Sequence, residues 1–256
     1  AAEPATATAE AAPASNRARI ALGAKGSAGN DGGNIQMAID GDTATEGSLS
    51  PGLVVQSIGA GGGDARIRGV DEVDVTFGGT DGASGDGGDL VLDHTGHIFH
   101  AGALSHGVVL QSIGGGGGLV LTDTGGEGLT WSLRTKNAGS GGDITFRQSG
   151  DIVTAGDGAI AVLAQSLGGG GGALDRAYLG SAGGEGSGGD ITIDLDGSAI
   201  AEGFQGVGVF AQSSGADGRG DIDLSLGAGH FIYGGTDGVA VWFSGGADNG
   251  LENFGT

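Results

Sequence analysis

The sequence predicts an all-β fold: a right-handed parallel β-helix with glycine-rich corners and inserted loops or hairpins. Three observations predict it. A 26-residue block recurs five times without gaps, apolar and polar residues alternate inside each block, and glycine punctuates the blocks at fixed places with no helical i, i+3, i+4 stripe. The 63 glycines, three prolines and net charge of −21 would by themselves suit a disordered chain. The 38% hydrophobic content argues otherwise, because Val, Ile and Leu fall at fixed distances from the glycines.

The elements follow in chain order. Residues 1–18 open with AAEPATATAEAAPASN, which lacks the basic and apolar regions of a signal peptide and reads as a flexible linker or mature N-terminus. Residues 19–256 read as one β-solenoid domain. Its blocks begin near Asn34, Asp89, Asp143, Asp190 and Asp221, 55, 54, 47 and 31 residues apart. Position 13 of the block is Gly47, Gly102, Gly156, Gly203 and Gly234. Position 22 is Gln56, Gln111, Gln165 and Gln212, with Phe243 breaking the series. Position 23 is Ser57, Ser112, Ser166, Ser213 and Ser244. All variation in spacing falls after the Gln-Ser pair, so the block is the rigid unit and the remainder an insert. The first three inserts each add an apolar run: VDVTF at 73–77, LTWSL at 129–133 and the weaker ALDRAYL at 173–179. The stretch 19–33 reads as the insert tail of a preceding repeat.

Within a block, positions 1, 3 and 5 are mostly apolar, the period of a half-buried strand. A turn follows, then a short strand to the position-13 glycine, then a more continuous strand ending in Gln-Ser. Three such sides make one rung, and only a stack of rungs buries a core. The third strand is apolar on both faces, so the inserts are expected to cover its outer side. Either the Gln or the Ser column faces inward; internal Gln amides would form a hydrogen-bonded ladder along the axis. The Asp89, Asp143, Asp190 and Asp221 column needs something to offset its repulsion. Backbone donors with solvation are the first expectation, and calcium, with Asp71, Glu72 and Asp74 as candidate ligands, is the second.

Other chemistry finds little support. With no cysteine there is neither a disulfide nor a thiolate metal site. No run approaches the ~20 apolar residues of a membrane helix, and the acidic balance argues against nucleic acid. The polyglycine runs 114–118 and 168–172 lack the Lys-Ser/Thr of a phosphate loop and read as loops or tight turns. His94, His97, His100 and His106 read as surface or turn residues, and Arg219-Gly220-Asp221 as a by-product of the repeat. Carboxylates follow the repeat, while Arg66, Arg68, Arg134, Arg147 and Arg176 sit singly, so no catalytic constellation stands out. Phe231, Tyr233, Trp242 and Phe243 read as packing near the chain end.

The strings GVVLQSIGGGGG (107–118) and AVLAQSLGGGGG (161–172), with GSGGDIT at 139–145 and 186–192, resemble the glycine-rich repeats in passenger regions of bacterial autotransporter-type surface proteins. The resemblance covers most of residues 19–250. It implies a β-helical passenger exported through an outer-membrane β-barrel and displayed at the cell surface or outside the cell. It also implies contact with host or bacterial surfaces, glycans or other copies of itself, in adhesion, aggregation or scaffolding. The alternative is a β-helical protein that binds or degrades polysaccharide. Residues 250–256, GLENFGT, carry no barrel segment: either the barrel lies beyond this sequence or the chain is a different secreted relative.

Overall fold

The computed structural model describes residues 16–23, 30–80 and 82–255. Most of the expected linker, residues 1–15, lies outside them. All regular structure among the described residues is β, in five stacked sheets. The architecture is a parallel β-helix.

Three faces enclose the main core. The first stacks Ile35–Asp40, Leu90–Thr95, Ile144–Ser149, Ile191–Asp196, Ile222–Leu226 and Asn249–Asn253, in that order and parallel. The second stacks the three-residue strands Thr43–Thr45, Ile98–His100, Ile152–Thr154, Ala199–Ala201 and Ile232–Gly234. The third stacks Leu53–Ile58, Val108–Ile113, Ile160–Leu167, Val207–Ser214 and Val239–Gly245. Period-two alternation sends Leu90, Leu92, Ile144, Phe146, Ile191 and Ile193 inward, where they meet Val108, Leu110, Val162 and Val209 of the third face.

The inserts build two further faces. Gly62–Ile67, Gly117–Thr122 and Gly171–Leu174 stack as a fourth sheet, folded back over the third. Val109, Leu163 and Phe210, on the outer side of the third face, pack there against Leu119 and Leu121. Arg17–Leu22, Glu72–Phe77 and Leu129–Leu133 form the fifth sheet, which closes a third small core around Val73, Val75 and Phe77. The outer covering expected from the two-sided third strand is therefore present.

Several details depart from the sequence reading. The fourth-face strands were not anticipated, because each opens on a glycine pair rather than an apolar run. ALDRAYL supplies no fifth-face strand; Ala177–Leu179 turns back antiparallel on Gly171–Leu174 and ends the insert layer. The fifth-face strand begins at Arg17, two residues inside the segment assigned to the linker. The last repeat slips in register. Ile232 pairs with Ala199 and Phe243 with Ala211, because its first corner is longer and its second shorter than those above. Gly235, not Gly234, thus lies against Gly203. A sixth first-face strand starts after Asp248, 27 residues beyond Asp221.

The polyglycine runs are ordered structure. In the second coil Gly115 and Gly116 turn the chain at φ 79° and 89°, and Gly117 and Gly118 enter the fourth sheet at 150° and 140°. A Cβ on Gly117 would lie 1.8 Å from the Gly171 carbonyl oxygen. Only glycine lets the fourth sheet close at this approach. Gly117→Ala should therefore destabilise the protein by about 3 kcal/mol or more. Gly33→Ala, where an added Cβ meets nothing within 4 Å, should stay within about 0.5 kcal/mol of the parent; urea denaturation of both checks this.

Candidate functional site

The Gln and Ser columns lie on opposite sides of the third face and are buried, apart from the half-buried Gln56 and Ser244 at the ends. Ser57, Ser112, Ser166 and Ser213 turn toward the main core. Each hydroxyl donates to the glycine carbonyl that opens its own coil (Ser112 to Gly88, 2.8 Å) and accepts the N–H of the corresponding glycine in the next coil (Gly142 to Ser112, 2.7 Å). Ser57, Ser166 and Ser213 repeat the pattern. The neighbouring glycines 32, 87, 141 and 188 are required because a Cβ there would meet the same hydroxyls at 2.3–2.5 Å. The Gly-Gly-Asp and Gln-Ser strings, some 24 residues apart in sequence, are two halves of one staple.

The Gln column faces the insert layer. Gln56 donates to Gln111 (2.6 Å), Gln111 to Gln165 (2.7 Å) and Gln165 to Gln212 (2.8 Å). The second amide hydrogens of Gln111 and Gln165 reach the Gly118 and Gly172 carbonyls of the fourth sheet. The ladder ends at Ser244, which accepts from Gln212 at 3.1 Å. Ser244 thus belongs to the Gln column, a correction that follows from the slipped register of the last repeat.

Corner carboxylates also act along the axis. Asn34 and the Asp89, Asp143, Asp190 and Asp221 side chains each accept the backbone N–H of the next residue in the column, at 2.8–3.1 Å, ending at Asp248. Side chains of Asp42, His97, Asp151 and Ser198 do the same at the next corner. Backbone donation is the role first expected for the acidic column. Asp71, Glu72 and Asp74 instead meet the first strand: Asp71 accepts from Asn16 N–H, Glu72 pairs with Arg17, and Asp74 with Arg17, Arg19 and Thr130. The Thr130 hydroxyl and the two guanidinium groups hold the Asp74 carboxyl below its ordinary value. No group of three or more His, Asp or Glu gathers as a metal site among the described residues.

The histidines correct the surface reading. His94, His100 and His106 are buried, and only His97 is exposed. His94 Nδ1 meets Gln148 Oε1 at 2.9 Å, His100 Nδ1 meets Thr45 Oγ1 at 2.6 Å, and His106 Nδ1 accepts the Ile160 N–H at 3.1 Å. Other coils place apolar or hydroxyl side chains at the His100 and His106 positions, and Ile39, Gln148 and Leu195 at that of His94, so isolated His spacing gave no sign of burial.

What remains for contact lies outside. The middle residue of every second-face strand points outward, and register aligns Ala44, Phe99, Val153, Ile200 and Tyr233 in one column. Phe99 and Tyr233 are each 46% exposed. Phe204 and Phe231 stand exposed at the two flanking corners. The aromatics grouped at the chain end divide: Phe243 packs on the main core, Trp242 lies edge-on to Tyr178 and Phe210, and Phe231 and Tyr233 face solvent. A separate cleft of about 470 Å³ opens beside Leu104, Phe204, Leu174 and Arg176. On the first face Arg147 lies between Asp93 (3.1 Å) and Asp194 (3.7 Å).

No protein-family model, curated protein or solved structure matches the chain.

Burial makes His106 a pH-dependent element. Its proton affinity is pushed down to about 4 because the charged ring would be desolvated. An unfolded chain takes this proton near pH 6.5. Between those values the unfolded state binds more protons, so stability falls as pH drops from about 6.5 toward 4. His106 should contribute a loss of about 2–3 kcal/mol at pH 4.5. Urea denaturation at pH 7.5 and 4.5 should show a smaller drop in His106→Asn than in the parent; equal drops would exclude His106 as the source.

Proposed function

We propose that this chain is a rigid passenger segment that works by surface contact, as an adhesive, aggregation-promoting or scaffolding module displayed or released outside a bacterial cell. The observation that carries the reading is the outward column Ala44–Phe99–Val153–Ile200–Tyr233. On a molecule of net charge −21, an aligned apolar row left in solvent lowers solubility and contributes nothing to the core. Such exposure is characteristic of contact surfaces. Coils stacked in register repeat the row at the rung spacing of about 4.8 Å, so weak contacts add along the axis.

Several of the carboxylates are engaged as acceptors for backbone N–H groups, which favours contact over chemistry. Polysaccharide binding or cleavage is the second reading. It is favoured by the Asp93–Arg147–Asp194 series, which lines a shallow groove with Asp196 and Ser225 on the first face. Carboxylates flanking a bound sugar are the usual requirement for glycoside hydrolysis.

The test is to display the chain on bacterial cells and compare it with Phe99→Ser/Tyr233→Ser. Settling rate and adhesion to an abiotic surface should fall several-fold in the variant at equal display. Unchanged settling and adhesion would reject the second face as the contact surface. Release of reducing sugar from soluble polysaccharides, lost on Asp194→Asn, would favour the enzyme reading instead.

A further inference from the structure

The apolar column is bordered by carboxylates on both sides. At the corner between the first and second faces stand Asp42 and Asp151, with Asp196 beside them at the end of its first-face strand, and at the corner between the second and third stand Glu46, Asp157 and Glu202. Asp42, Asp151 and Asp157 each accept a backbone N–H from the neighbouring coil, an interaction that fixes their position. Asp196 lies 3.4 Å from His230 Nε2. Arg176 and Arg68 also reach the second border, where they donate to Gln205 Oε1 and to the Ser48 carbonyl, leaving both borders acidic on balance. The second face is therefore an apolar strip one residue wide between two acidic borders.

Resting on the contact reading above, we infer that the second face receives a cationic amphipathic peptide segment, with an apolar stripe that lies along the column and Lys or Arg on either side of it. Two features select this occupant. The first is sign: a second copy of the chain brings its own net charge of −21 and the same acidic borders, whereas a basic segment meets both borders with opposite charge. The second is spacing. The column spans four rung intervals, about 19 Å, with side chains about 4.8 Å apart. An α-helix presents same-face residues at about 5.4 Å per turn, so a helix of about 14 residues spans a similar length. Laying an apolar helical stripe on an apolar surface is an established mode of peptide recognition. Phe99 and Tyr233, near either end of the column, would be its anchors.

The probe is a synthetic 16-residue amphipathic peptide with Leu on one face and Lys on the other, labelled for fluorescence anisotropy. Two controls accompany it: the same composition scrambled to destroy the stripe, and the same pattern with Glu in place of Lys. The parent protein should bind the patterned Lys peptide at least tenfold more tightly than either control. Binding should weaken with added salt, fall about tenfold in Phe99→Ser/Tyr233→Ser, and fall similarly in Glu46→Lys/Glu202→Lys. Exposed positions are used so that folding, checked by circular dichroism and melting, is preserved. Equal binding of patterned and scrambled peptides would reduce the effect to non-specific attraction for polycations and overturn the proposal. So would equal binding by the Phe99→Ser/Tyr233→Ser variant. Binding of neutral gluco-oligosaccharides that is lost in the same variant, with no patterned-peptide binding, would assign the face to glycans instead. If peptide binding fails while the variant still abolishes cell settling, the contact reading stands and only the partner class falls.

Discussion

A coil of β-helix satisfies its backbone along the strands, but each corner interrupts that ladder. The constraint on which the rest depends is that side-chain oxygens and amides, stacked along the axis, take over there and at the seam between the two layers. Three kinds of ladder do this. Carboxylates and their Asn, Ser and His substitutes accept corner N–H groups. Serine hydroxyls staple the third face to the glycines that open successive coils. Buried glutamine amides bond to each other and to the fold-back strand. The Gln ladder carries the highest stakes, since an unpaired amide between two apolar layers has no water to turn to.

From this constraint the asymmetry of the molecule follows. The third face, closed inside by Ser and outside by Gln, can be covered on both sides. The insert layer occupies its outer side for three coils, contracts to a hairpin, and is absent beside Ser214–Asp221. The second face has strands of three residues, each with two inward side chains and one outward. Nothing in the described structure covers that outward residue. A rigid, repeating, partly apolar face thus arises from the same register that builds the core.

Much of this was legible in the sequence, for a physical reason: in-register stacking forces equivalent positions into equivalent environments, so Gln111 and Gln165 announce a shared role before any coordinates exist. The two-sided third strand likewise implied an outer layer. What could not be read were features that depend on contacts between distant segments. The Gln-Ser pair gives no indication of which member faces which core, since both are polar on a strand apolar on both sides. The fourth face begins Gly117-Gly118, and glycine there reports carbonyl approach rather than strand propensity. His106 occupies the position that Ile160 and Val207 hold in later coils, and a lone imidazole carries no mark of its burial. The final repeat kept its Gly and Ser in the ungapped columns by coincidence; unequal length changes at two corners moved both Gly234 and Ser244 into other stacks.

The buried amide ladder is tested most directly by the unfolding free energies, from urea denaturation, of Gln111→Leu, Gln165→Leu and the double variant. Either single change strands a donor on one neighbour and an acceptor on the other, which should cost about 2–4 kcal/mol. In the double variant one stranded pair replaces two, so its loss should fall well short of the sum of the single losses. Single variants within about 0.5 kcal/mol of the parent, or losses that simply add, would contradict a continuous ladder between the layers.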